Sequence, residues 1–169
     1  MLGYVMRDGR GEIDALLRTF ATGFEADGRH VVGTVQHNIE IADRAKCAMR
    51  LEVLPTGQLI DISQDLGDGA IGCRLDPDGF AAAVQAVQNG LERGADLFLV
   101  NKFGKQEAEG GGFRNLIGVA LSQNIPVICG LNKKNLPAFE QFAEGMAEEV
   151  TATLEALTSW FEDQACDAQ

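Results

Sequence analysis

Residues 96–114 read DLFLVNKFGKQEAEGGGFR, and this stretch decides the fold. Asp96 to Val100 is a short apolar run of the length and composition of a buried strand. The polar, Gly-rich segment from Asn101 to Gly112 ends it, and a helical pattern from Phe113 to Gln123 follows. A buried strand, a polar crossing and a helix in this order form the repeating unit of a parallel sheet covered by helices.

The same unit recurs on both sides. Leu2–Met6 reads as a first strand, bounded by RDGRG and followed by apolar residues at Ile13, Leu16, Leu17, Phe20 and Phe24, a helical spacing over 12–26. Val31–Val35 reads as a second strand ending in Gln36-His37-Asn38. Residues 49–55 (MRLEVLP) and 58–64 (QLIDISQ) alternate in polarity around Pro55-Thr56-Gly57, so an antiparallel hairpin is expected over about 49–64. The Gly-rich run DLGDGAIGC follows, and Asp76-Pro77 then opens a helix to about Arg93 as a capping residue and a first-turn proline. Pro126 to Gly130 is a further buried strand.

From Leu136 to about Phe161 apolar residues recur by threes and fours. A continuous helix of that length would run about 40 Å, long for so small a sheet. Two readings stay open: a pair of helices broken near Gly145 or Thr151, or one helix whose outer half serves a homodimer. The expected architecture is a single α/β domain over 1–169. It has a mostly parallel sheet with helices on both faces, the inserted hairpin, and a C-terminal helical extension over about 148–165.

A chain of 169 residues with 46% hydrophobic and 23% charged residues can bury a core of this kind. No apolar run reaches bilayer-spanning length and no signal segment opens the chain, so a cytoplasmic location is expected. Net charge is −11, which speaks against nucleic acid and anionic membranes as partners. Every Lys and Arg lies at or before Lys134, leaving residues 135–169 purely acidic. The four cysteines, Cys47, Cys73, Cys129 and Cys166, form no CxxC pair.

In open α/β sheets ligands bind where strands end and helices begin. The turn after the first strand has the position of a phosphate-binding loop, GxxxxGK[ST], but not its residues. Arg7 and Glu12 stand at the glycine positions, Ile13 at the lysine and Asp14 at the magnesium-binding hydroxyl. After the strand at 96–100, where magnesium-binding acids are expected in such enzymes, the chain has Asn101-Lys102, with Lys105 and Arg114 following. An amide and an ammonium suit an anion rather than a divalent cation. The alternative is that these cations pair with Glu107, Glu109 and Asp65.

The segment from Asp96 to Ile117 resembles the thermophile-type nucleoside-triphosphatase family, which reads in outline Asp-Glu-hydrophobic-Gly-Lys, then Glu, then Phe-Arg. Gly104-Lys105 and Phe113-Arg114 match that outline, while Asn101 and Lys102 depart from it at the two acidic positions. Through residue 147 the chain more closely resembles a bacterial domain family of unknown function often encoded beside molybdate transport genes. The phrases that carry this are Gln36-His37-Asn38, Met49-Arg50-Leu51, the run from Ile62 through Gln64, Asp65 and Gly67, the run from Gly72 through Cys73 and Arg74 to Asp76, and Asn101-Lys102-Phe103-Gly104-Lys105.

This resemblance implies a P-loop-type fold without the usual catalytic residues, and it offers molybdate or tungstate as the anion, with no magnesium-nucleotide expected. The expected ligand-binding residues are Gln36, His37, Asn38, Arg50, Gln64, Asp65, Arg74, Asn101, Lys102, Lys105 and Arg114. Cys47 and Cys73, flanking the hairpin, could hold a metal together with His37; the alternative is that each is a small buried hydrophobe. A residual nucleotide hydrolase or phosphotransferase using Asp61, Asp65 or Glu107 is a rival reading, as is an adaptor or homodimer acting through the acidic C-terminal helix.

Overall fold

The computed structural model describes residues 1–9, 11–40, 48–64 and 75–167, without the side chains of 164–167. The first strand and helix fall where the periodicity places them: β1 is Leu2–Met6 and α1 is Glu12–Ala26, with Ile13, Leu16, Leu17, Phe20 and Phe24 buried. Strand β2, Val31–Ile39, is longer than its apolar run. Its outer half keeps its backbone partners because Val35 to Ile39 pair with the hairpin strand β3 (Ala48–Leu54), even though pairing with the next parallel strand stops at Thr34. Polarity alone does not end a strand whose backbone groups remain bonded.

Strand β4 (Gln58–Asp61) completes the hairpin. Helix α2 (Pro77–Leu91) opens on Asp76, whose carboxylate accepts a hydrogen bond from the Asp78 N–H at 3.2 Å. Strand β5 (Leu97–Val100) leads to a single-turn helix α3 (Lys105–Ala108), inside the segment that the sequence marks only as polar. Helix α4 (Arg114–Ser122), strand β6 (Val127–Leu131) and helix α5 (Leu136–Ala143) follow.

The continuous C-terminal helix is not formed. Glu144 and Gly145 take positive φ (48° and 80°) and end α5. Residues 147–149 make a short edge strand, β7, parallel to β1, and the helical region expected over about 148–165 starts later, as α6 (Leu154–Asp167). Within α6, Leu157, Trp160 and Phe161 are buried beside Phe24 and Phe20 of α1, while Leu154 is exposed.

All seven strands form one sheet in the order β4-β3-β2-β5-β6-β1-β7, parallel except for the hairpin. Helices α1 and α6 cover one face, and α2, α4 and α5 cover the other. This leaves the carboxyl ends of β1, β2 and β5 open along one rim. Among the described residues no helix is long and apolar enough to cross a membrane.

Candidate functional site

The rim is organised around Asp14, in the first turn of α1 and only 2% exposed. Its Oδ2 accepts from Asn38 Nδ2 at 2.8 Å and its Oδ1 from Asn101 Nδ2 at 2.7 Å. The Lys102 ammonium lies 3.3 Å from Oδ1 and 3.4 Å from Oδ2. Asn101 Oδ1 accepts from the Gln36 backbone N–H at 3.0 Å, and Gln36 Nε2 donates to Asn38 Oδ1 at 2.8 Å. Two amides and an ammonium thus surround a carboxylate, with the charge-assisted hydrogen bonds that an anion would receive. Four of the expected ligand residues, Gln36, Asn38, Asn101 and Lys102, are brought together. The sequence gives no sign that the group they meet is a residue of this chain.

The other acids around the first turn are also engaged. Glu12 of that turn pairs with Arg7 at 3.0 Å, and Asp8, in the loop before α1, pairs with Lys133 at 2.9 Å, both exposed. A cavity of about 230 Å³ lies there, among Gly9, Gly11, Asn132 and Asn135.

A second cavity, of about 240 Å³, opens over the ends of β2 and β5, on the α2 side of the sheet. Lys102, 47% exposed, borders both cavities. The second is walled by Met49, Leu51 and Ile62 of the hairpin region and by Leu75, Phe80 and Phe113. Gln36, Asn101, Lys102, Lys105 and Gln106 supply its polar side. Lys105 is exposed and its partner, Glu109, stands 3.7 Å away, a pair weak enough for the ammonium to reorient.

Glu107, 2% exposed, also borders this cavity, and its two oxygens accept the N–H groups of Gly104 (2.8 Å) and Phe113 (3.1 Å). Burial raises its pKa above the ordinary carboxylate value, outweighing the opposing pull of those hydrogen bonds. Gly112 holds φ at 56°, and a Cβ there would strike the Glu107 carboxylate. The Gly104–Glu107 spacing is that of a helix cap followed by an acid three residues on, a capping role in place of the cation partner or metal ligand that the sequence offers for Glu107.

The remaining expected residues are elsewhere. His37 and Arg50 face each other across β2 and β3 on the opposite side of the sheet from Gln36 and Leu51, because strand side chains alternate. His37 Nε2 lies 2.6 Å from Glu52 and Arg50 Nε 2.5 Å from Asp61, beside a third cavity of about 250 Å³ that Ile39 and Leu59 also line. Arg114 donates to the Glu107 carbonyl at 3.2 Å and lies over the Phe142 ring at 4.6 Å. Gln64 is half-buried, just beyond the bridge between Ser63 and Leu75, and is engaged by a partner of its own.

Cys47, Asp65, Cys73 and Arg74 lie outside the described residues. Among the described residues no cluster of three or more His, Cys, Asp or Glu could hold a metal. Cys129 is a buried free thiol at the centre of β6, its pKa pushed up by burial and by the charge of Glu107.

The strand order, the two helical layers and the rim at the carboxyl ends define an α/β domain with a P-loop nucleoside-triphosphatase-like fold. The whole chain superimposes on such proteins. A human cancer-related nucleoside triphosphatase matches with a TM-score of 0.64 and 18% identity, covering 99% of this chain and 96% of that one. THEP1 from the hyperthermophile Aquifex aeolicus matches with a TM-score of 0.62 and 15% identity, covering 96% of both chains. At these identities the likeness is one of fold.

The chain belongs to the family described as "Protein of unknown function (DUF2478)", whose pattern it matches over residues 2–160. It is also 34% identical over 152 residues to the molybdenum import ATP-binding protein ModC 2 of Bradyrhizobium diazoefficiens. That match covers 90% of this chain but 17% of the relative's length.

Proposed function

We propose that this chain is a small-anion-binding module in molybdate or tungstate handling, built on a P-loop-type scaffold that does not take a magnesium-nucleotide at the β1–α1 turn. The single observation that carries the reading is the state of Asp14. At the place where a P-loop offers a hydroxyl to magnesium, a buried carboxylate already receives Asn38, Asn101 and Lys102. Ile13 brings no ammonium to a phosphate, and Asn101-Lys102 after β5 brings no acid to a cation.

The anion contacts are then the free donors on the other side of Lys102. An ammonium has three N–H bonds, and the Asp14 carboxylate leaves Lys102 able to turn donors toward the second cavity, where Lys105, Gln106 and Gln36 stand. Molybdate and tungstate are tetrahedral dianions suited to such donors. The relative named for molybdenum import supports placing this module in that chemistry, and the 17% span of the match fits a part that works beside an ATPase rather than one that is the ATPase.

Calorimetric titration with molybdate, tungstate, sulfate and magnesium-ATP tests the reading. Heat with the oxoanions and none with magnesium-ATP is expected. No heat with any oxoanion ends this reading, and heat with magnesium-ATP alone replaces it by the nucleotide one.

A further inference from the structure

The second cavity is larger and more apolar than a tetrahedral oxyanion needs. A single water needs only about 10–15 Å³ of such space, so the cavity's volume of about 240 Å³ is far more than one small ion fills. The polar groups are gathered at one side, whereas Met49, Leu51, Ile62, Leu75, Phe80 and Phe113 form the rest of the wall. An inorganic ion bound beside Lys102 would leave the apolar part of the cavity unfilled, with the half-buried Met49, Leu75 and Phe80 still in contact with water. Concave, mostly apolar cavities with a few polar groups at one end are the form of sites for organic ligands.

The wall also has an aromatic corner. Phe80 and Phe113 pack edge to face, with centroids 5.4 Å apart at 81°. Phe113 is held by its N–H bond to Glu107 and by the buried ring of Phe98. A planar ring can stack on or abut such a corner at little entropic cost.

We infer that this cavity takes an organic anion, a planar aromatic or heteroaromatic ring carrying a phosphate or carboxylate, with the ring among Met49, Leu51, Phe80 and Phe113 and the anionic group at Lys102 and Lys105. This rests on the anion reading above and changes what carries the anion: the bare oxyanion is the weaker ligand, occupying only the polar end.

Phenyl phosphate and inorganic phosphate, titrated into the full chain in a phosphate-free buffer, separate the two claims. Phenyl phosphate is expected to bind at least tenfold tighter, which is about 1.4 kcal/mol. Met49→Trp, which fills the apolar part from a half-buried position, is expected to abolish that gain and leave inorganic phosphate unaffected. Phe80→Ala, which removes the aromatic corner without adding bulk, is expected to reduce the gain, so the test survives a misfolded Met49→Trp protein. Equal affinity for the two ligands overturns the inference and leaves the anion reading standing, as does a gain that persists in both variants. Binding of neither ligand overturns the inference, and the anion reading then stands or falls on the molybdate and tungstate titration.

Discussion

Asn101 Nδ2 donates to Asp14 Oδ1 at 2.7 Å, with both residues 2% exposed, and this bond joins the end of strand β5 to the first turn of helix α1. In a magnesium-nucleotide site both positions would face the ligand. Here they face each other. With Asn38 and Lys102 also drawn in, the rim has become a hydrogen-bonded clasp across β2, β5 and α1, and the open donors have moved to one side of it.

Removing the clasp's acceptor has a structural cost. Asp14→Ala leaves the buried Asn101 amide without its partner, together with the half-exposed Lys102, and is expected to lower stability by about 2–4 kcal/mol. Asp14→Asn retains one acceptor and is expected to cost about half as much. Urea denaturation followed by far-ultraviolet circular dichroism measures both; a loss below about 1 kcal/mol for the alanine variant would contradict the clasp.

Glu107 should give stability a pH dependence of known sign. Burial raises its folded-state pKa above the ordinary 4.5, so between the two values the folded chain holds a proton that the unfolded chain has lost. Its contribution is fully present below the unfolded value and is lost as pH rises through the folded one. The stability of the wild type relative to Glu107→Gln should therefore decline from about pH 4.5 upward. A difference that stays flat, or that grows with pH, would show that Glu107 is not held in this way.

Cys129 should be inert in the folded protein. It is wholly buried in β6 and its thiol is pushed toward the protonated form, and the thiolate is the reactive species. Alkylation at pH 8, mapped by peptide mass spectrometry, is expected to leave Cys129 unmodified in native buffer and to modify it fully in urea. Rapid native modification would mean that β6 opens far more readily than a central strand should.

Gly33 should resist substitution. Its φ is 146°, and a Cβ there would run into the backbone carbonyl of Leu99 on β5. Gly33→Ala has to part the two central strands or strain the backbone, and a loss of more than about 2 kcal/mol is expected by thermal or urea unfolding. A neutral substitution would contradict the β2–β5 approach.

Much of this was legible in the residues. The strand β1 and helix α1 follow from a five-residue apolar run and a 3.6-residue spacing, and Asp76-Pro77 marks the start of α2. Periodicity could not show that Gln36 to Ile39 stay in β2, because their partners come from a hairpin distant in sequence. Periodicity alone did not choose between one long helix and a break: the apolar spacing of Phe139, Phe142 and Met146 runs on through Gly145, but Gly145 is one of the two break points the residues offer, and the chain turns there to pair β7 with β1.

For the candidate site, the carboxyl ends of β2 and β5, which the residues single out, do lie side by side, because parallel neighbours end together. The division of Gln36 from His37 depends on the face each side chain takes, which the β2–β3 register decides. The role of Asp14 was hidden because its partners lie 24 and 87 residues away; read alone, it is an acid at a phosphate-loop position.

The central claim is that the anion is bound at Lys102 and Lys105 rather than in the turn between β1 and α1, and tungstate can report its own position. Crystals of the protein soaked in sodium tungstate, with data collected at the tungsten absorption edge, should show an anomalous peak within hydrogen-bonding distance of Lys102 Nζ, on the side of Lys105 and Gln36. That peak should vanish in Lys102→Ala. A peak among Gly9, Gly11 and the first turn of α1, or no peak at all, would contradict the account.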